Sequence, residues 1–387
     1  MTTSRLVTPA FVALTSSELA YFTAIGTLLP VVPLYVTDRL GAPAAAVGLA
    51  VGAFALTALL LRPLAGRLAD RWGRKRLLVA GAALFTLVLI AHVAITDLTH
   101  LVGLRVALGA AEAAYFVGAT AVLTDLAPPE RLGAAMSYSS LGLYLGLAAG
   151  PLLGEALVEW AGYDAAWLGA AALGLVALLL TRLVPATASG GAEPDAPALG
   201  RGALGPGLAF VAGLAGIGGF LGFVALYSRD VGLDGAGTVL LVYGSVVVVG
   251  RIALAGTTDR LPAARLSALA LLLCGAGLVT MGTVRTTTGL FAGTVVLAVG
   301  GTLLTPAFFR LLMSRLPADR RGAGAATFSI AVDLGLGGGP VLFGTLVQVG
   351  SIPAAMVIMG GVAVATAAAG RLLARGRRDR PLDATPT

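Results

Sequence analysis

Apolar residues fill this chain in long blocks separated by short polar stretches. A helix needs about 20 predominantly apolar residues to cross the hydrocarbon of a bilayer. Twelve blocks are long enough: 9–36, 43–65, 77–96, 100–124, 132–158, 165–184, 204–228, 236–256, 264–284, 288–313, 322–349 and 352–373. The sixth and seventh are separated by 185–203, which is rich in Pro, Gly, Ala and acids, lacks apolar periodicity and reads as a flexible linker. The expected fold is therefore an all-α integral membrane protein of twelve transmembrane helices. It comprises a six-helix bundle over 1–184, a second over 204–374 and a polar tail over 375–387.

Composition agrees with this pattern. Of the 387 residues, 57% are hydrophobic and 12% charged, whereas a soluble domain carries about 25% charged residues. The 54 glycines suit helices that pack closely in lipid, and no Gly-x-y period marks a collagen. A net charge of +7 and a pI of about 10.1 can signal nucleic-acid binding, but here the cations sit in short loops between spans, where topology requires them. The single cysteine, Cys274, lies in an apolar run and excludes an intramolecular disulfide. The N-terminus reads as a retained first helix and not as a cleaved signal.

Between blocks two and three, the eleven residues from Gly66 to Arg76 hold six charges, five of them basic. Lys and Arg collect in short cytoplasmic loops, so this stretch is expected to be a turn on the inner side. With twelve spans drawn, 22 of the 26 cations fall inside, and only Arg39, Arg105, Arg229 and Arg285 fall in outer halves or outer loops. An even number of spans then places both termini in the cytoplasm.

An internal repeat supports two similarly oriented halves. Adding 189 carries Arg62 to Arg251, Asp70 to Asp259, Arg71 to Arg260, Arg76 to Arg265, Gly146 to Gly335, Gly150 to Gly339 and Pro151 to Pro340. Parallel halves imply a pseudo-two-fold along the membrane normal, with a substrate site between them near the midplane.

The stretch Gly66-Arg67-Leu68-Ala69-Asp70-Arg71-Trp72-Gly73-Arg74-Lys75 resembles the signature between helices 2 and 3 of the major facilitator superfamily. That resemblance implies a conformational switch made by Gly66, Asp70, Arg71, Gly73, Arg74 and the second-half Asp259, in which Asp70 meets the inner start of helix 11. A carboxylate at a helix N-terminus gains about 0.3–1 kcal/mol from the dipole. In helix 5, Gly146-x3-Gly150-Pro151-x2-Gly154 resembles the antiporter signature of the superfamily's drug-exporting members, with Ser137 and Glu155 replacing its first and last glycines. Close packing is the alternative reading of these glycines.

Charged groups inside spans are costly, by about 2.5–3.5 kcal/mol on insertion scales, and so point to function. Glu112 is the first candidate for a proton carrier, Glu18 the second, and Asp333 is either a third titratable site or part of a structural pair. Arg105 and Glu112, seven residues apart, project from nearly the same helix face. Likeness to the superfamily's helix-4 signature implies that Arg105 tunes a neighbouring carboxylate. Each of these groups is alternatively a satisfied structural charge.

The superfamily lines its pathway with helices 1, 4, 7 and 10, which here offer Tyr21, Phe22, Tyr115, Phe116, Phe220, Phe223, Phe308 and Phe309. Such a lining suits an apolar or amphipathic compound better than a sugar. The resemblance thus implies a monomeric exporter in the cytoplasmic membrane, exchanging protons for a small hydrophobic molecule and needing no cofactor, metal or nucleic acid. An importer or facilitator of the same fold is the alternative. An intramembrane enzyme is disfavoured, since His92 and His100 accompany no catalytic motif.

Overall fold

The computed structural model describes residues 7–128, 131–186, 204–254, 261–314 and 321–376. The predicted linker from 187 onward, the tail from 377 onward and the switch residue Asp259 lie outside the described residues. Twelve α-helices follow in order: α1 (Pro9–Asp38), α2 (Ala44–Trp72), α3 (Arg74–Ala91), α4 (Leu98–Leu126), α5 (Leu132–Ala161), α6 (Tyr163–Arg182), α7 (Leu204–Asp230), α8 (Gly237–Leu254), α9 (Ala263–Thr283), α10 (Thr287–Met313), α11 (Arg321–Val349) and α12 (Ile352–Gly376). All twelve are long and apolar enough to cross a membrane, and no strand occurs among the described residues. Large apolar side chains such as Leu60, Leu87, Val249 and Ile252 are exposed on the outside, as a lipid-facing surface requires.

Several helix starts are set locally. The Thr8 hydroxyl accepts from the N–H of Phe11 at 3.2 Å, and Thr286 does the same for Gly289 at 3.1 Å. Asp97, between α3 and α4, accepts from the N–H of His100 at 2.9 Å, and this hydrogen bond holds its carboxyl below the usual range.

The stretch expected to be a turn is mostly helix. α2 continues through Arg71 to Trp72, Gly73 alone breaks the chain at φ +95°, and α3 begins at Arg74. The physical reason is that Arg67, Leu68, Ala69 and Arg71 are strong helix formers, so nothing before Gly73 stops α2. The Gly73 N–H closes that helix on the Ala69 carbonyl at 3.0 Å.

In the first half α1 packs on α5 and α6, α2 on α4, and α3 on α4 and α6. In the second, α7 packs on α11 and α12, α8 on α10, and α9 on α10 and α12. The halves meet where α2 lies along α11 and α5 along α8.

Glycine sets the closest approaches. A Cβ added at Gly146 would lie 2.6 Å from the Thr23 nitrogen, and one at Gly150 2.6 Å from the Thr27 nitrogen. Gly154 faces the Thr27 carbonyl just as tightly, and buried Pro151 lies among these glycines. The glycines of the helix-5 motif therefore lie at the contact between the α5 and α1 backbones. Gly335 and Gly339 press on Leu214 and Ala215 of α7 in the same register.

Replacing Gly73 by alanine places a side chain in backbone space that only glycine enters freely, at a cost of about 1–3 kcal/mol. Gly66 has open space around its Cα, so Gly66→Ala is expected to be neutral or stabilising by about 0.5–1 kcal/mol. Thermal unfolding of the purified protein checks the contrast; equal midpoints for the two variants contradict it.

Candidate functional site

A cavity of about 320 Å³ lies between the halves, bounded by α1, α2, α4 and α5 on one side and α7, α8, α10 and α11 on the other. Its wall is mainly aliphatic, with Leu28, Leu147, Leu221 and Leu336 among its members. Tyr144, Tyr243 and Thr305 bring hydroxyls, and among the described residues the only charged ones on the wall are Arg105 and Arg251.

Arg105 donates through Nε to the Ala50 carbonyl at 3.0 Å and covers the Phe54 ring at 4.9 Å. It forms no ion pair with Glu112 among the described residues, in keeping with their spacing along α4. Two helical turns along α4 leave about 10 Å of axial separation, more than a guanidinium spans from that position. The cation beside Glu112 comes from another helix.

That cation is Arg62 of α2. Its Nη2 lies 3.7 Å from Glu112 Oε1, while its Nη1 is hydrogen-bonded to Asp333 of α11 and to Ser329 Oγ at 3.1 Å. The guanidinium also covers the Phe116 ring at 4.8 Å. Glu112 Oε2 is buried with no hydrogen-bond partner. One cation thus serves two acids, one in its own half and one across the interface. Asp333 thus lies in an ion pair that joins the halves.

Sequence reading had counted Arg62 only as a topological cation near the inner end of helix 2. The repeat held the missing signal. The 189-residue shift that carries Arg62 to Arg251 also carries Tyr144 to Asp333. In the structure Arg251 of α8 donates to the Tyr144 hydroxyl of α5 at 2.5 Å and covers its ring at 4.2 Å. The α2–α11 and α5–α8 interfaces therefore carry equivalent arginine contacts, one ionic and one to a neutral phenol.

The end of the bundle away from the Gly73 break is drawn together. Arg229 of α7 pairs with Asp38 of α1 at 2.9 Å, and Tyr163 donates to Asp38 at 2.9 Å. Glu155 of α5 accepts from the N–H groups of Ala236 and Gly237, at 2.5 and 2.7 Å, where α8 starts. In the sequence Glu155 was a departure from a glycine motif; in the structure it caps a helix of the opposite half.

The remaining predicted residues fall as follows. Glu18 is buried in α1, with its Oε2 unpartnered among the described residues. Tyr21 and Tyr115 stack at 3.8 Å with parallel rings, and Phe22 packs edge-on against Tyr21 at 5.6 Å. Phe220 packs against Tyr243, Phe223 against Phe343, Phe308 against Phe210 and Phe309 against Phe328. None of the eight predicted aromatics is on the wall of this cavity; Phe54, Tyr144 and Tyr243 line it. Near the Gly73 break, Arg74 is paired with Asp125 of α4, and Asp70 is half-buried with Arg71 exposed beside it. Among the described residues no cluster of three metal-ligating side chains occurs.

The Major Facilitator Superfamily model matches residues 14–337 and, in a second match, 208–387. The chain belongs to the Major Facilitator Superfamily. The uncharacterized MFS-type transporter YhhS of Escherichia coli (strain K12) is 28% identical over 375 residues, which cover 94% of this chain and 92% of the relative. The fold is shared with a bacterial homolog of the human lysosomal transporter Spinster in an inward-facing, occupied conformation, at TM-score 0.81 and 18% identity, covering 98% of this chain and 100% of that one. The nucleoside transporter NupG also shares it, at TM-score 0.81 and 12% identity, with 94% of this chain and 99% of NupG covered. This superfamily member is thus a multi-pass membrane transporter whose cavity lies at the junction of its halves.

Removing Arg62 leaves two buried acids without their cation, and breaking a buried ion pair costs about 3–5 kcal/mol. Arg62→Ala is expected to lower the unfolding temperature clearly, and Asp333→Asn in that background to restore part of the loss. An unchanged midpoint in Arg62→Ala contradicts the pairing.

Proposed function

We propose that this transporter exports small apolar or amphipathic compounds, of drug or antibiotic character, in exchange for protons. It acts by alternating access as a monomer in the cytoplasmic membrane, with both chain ends in the cytoplasm. The observation that carries the proton-coupled reading is the sharing of Arg62 between Glu112 of its own half and Asp333 of the other. The apolar cavity wall supports the substrate class. The likeness of the helix-5 motif to that of drug exporters supports the direction. The excess of cations at the Gly73 end supports the orientation.

As drawn, the triad holds two acids and one base, so one proton brings it to neutrality. A proton on Glu112 leaves Arg62 committed to Asp333 and ties α2 to α11. A proton on Asp333 leaves Arg62 with Glu112 alone and frees that interface. The position of one proton therefore decides whether a charge crosses between the halves. Loss of a buried pair is worth about 3–5 kcal/mol, close to the roughly 5.5 kcal/mol that moves a two-state population from 1:99 to 99:1. Asp70, Arg71 and Arg74, at the Gly73 break, act in the same switch, and Arg74–Asp125 keeps α3 and α4 moving as one body. Glu18, buried in the same half, is the second proton carrier.

The test is the pH change in inverted vesicles energised with a proton gradient, on adding a panel of amphipathic antibiotics and dyes, for wild type and Glu112→Gln. Substrate-evoked proton release is expected in wild type and a loss of about tenfold or more in the variant, the span over which general acid–base groups act being about 10²–10⁴. Substrate moving down its own gradient with no proton flux replaces this reading with that of a facilitator.

A further inference from the structure

The cavity between the halves is lined by charge of one sign only. Arg105 and Arg251 border it, and no Asp or Glu among the described residues does. Neither arginine has a carboxylate within ion-pair distance among the described residues. A cation buried at membrane depth without a counter-ion is costly, and natural proteins keep such a group where a ligand or ion supplies the opposite charge.

The two arginines are held differently. Arg251 is tied to Tyr144, hydroxyl and ring together, as part of the α5–α8 contact. Arg105 is 6% exposed and is fixed by one bond alone, from Nε to the Ala50 carbonyl, with the Phe54 ring beneath it. Its two terminal nitrogens have no acceptor among the described residues, and the side chain forms part of the cavity wall. A guanidinium oriented through Nε presents a planar fork of N–H groups, the geometry that takes a carboxylate, sulfonate or phosphate through two parallel hydrogen bonds. The rest of the wall, with Phe54 and Tyr243 among aliphatic side chains, fits an apolar body.

We infer that the transported compound is an amphipathic organic anion whose acidic group is held by Arg105. This rests on the reading that the cavity is the substrate site, and it narrows that substrate to compounds carrying a negative charge. Lipophilic cations, which many apolar cavities accept, are repelled here by both arginines.

Three probes with one ring system separate charge from apolar fit: 1-naphthaleneacetate, 2-(1-naphthyl)ethanol and 2-(1-naphthyl)ethylammonium. Binding to the full-length protein in lipid nanodiscs is measured by calorimetry at equal ionic strength. The acetate is expected to bind about tenfold or more tightly than either other probe, as a charge-assisted paired contact provides. Arg105→Gln is expected to abolish that preference, Arg105→Lys to keep part of it, and Arg251→Gln to leave it in place. The wild-type ranking decides even if a variant fails to fold. Equal binding of the three probes, tighter binding of the alcohol or the ammonium, or no binding of the acetate overturns the inference. Loss of preference in Arg251→Gln but not in Arg105→Gln overturns the assignment to Arg105. A clear anion preference without substrate-evoked proton flux upholds this inference while removing proton exchange; proton flux evoked by cations alone does the reverse.

Discussion

A charge cannot stand alone in hydrocarbon, and this molecule is arranged around that constraint at Arg62. The guanidinium sits well within α2, with Glu112 on one side and Asp333 on the other. Because Asp333 belongs to the opposite half, the need to neutralise the cation is also a force between halves. The glycine-lined contact of α2 with α11 makes it possible: Gly52 faces the Gly337 backbone, and Gly337 in turn faces Ala55. Larger residues there would hold the helices too far apart for the arginine to bridge. Packing and electrostatics are thus one interaction, close approach permitting the pair and the pair sustaining the approach.

The pseudo-two-fold gives this contact a counterpart with different chemistry. Arg251 meets Tyr144 where Arg62 meets Asp333, and Ala148 meets Gly244 where Gly337 meets Ala55. The scaffold is duplicated but the titratable partner is not. The first contact joins an arginine to a carboxylate, and the second joins one to a phenol. One interface is therefore held by an ion pair and its twin by a cation–phenol contact, so a repeated frame carries two different chemistries.

Much of this was legible beforehand. Span lengths and the cation asymmetry define twelve helices, and α1, α4, α10 and α11 end within a few residues of the apolar blocks that announce them. The buried acids Glu18, Glu112 and Asp333 stood out because acids are rare in spans. Their partners did not. Arg62 was hidden by lying eight residues before Asp70, close enough to a basic stretch to be counted with it. Whether Arg105 or Arg62 serves Glu112 depends on which helix crosses α4 at that level, and periodicity along one helix does not specify this. The aromatics were no easier to place: a helix that borders a cavity offers it only one face, and Tyr21 and Tyr115 are turned to each other within the half. The signature at 66–76 was read as a loop because its charges suggested water, yet those residues favour helix and only Gly73 ends it.

Glu155 shows how the far end is joined, and what kind of joint it is. Its carboxylate grips two main-chain N–H groups at the start of α8, and Gly235 and Gly237 leave room for it by lacking side chains. A side-chain pair can be lost by mutation on either strand of the contact. Here the α8 side offers only backbone, which most substitutions leave in place, so the joint is genetically one-sided. Variation that loosens this joint falls on a single codon of α5 or on the small residues that admit its carboxylate, and drift elsewhere in α8 passes it by.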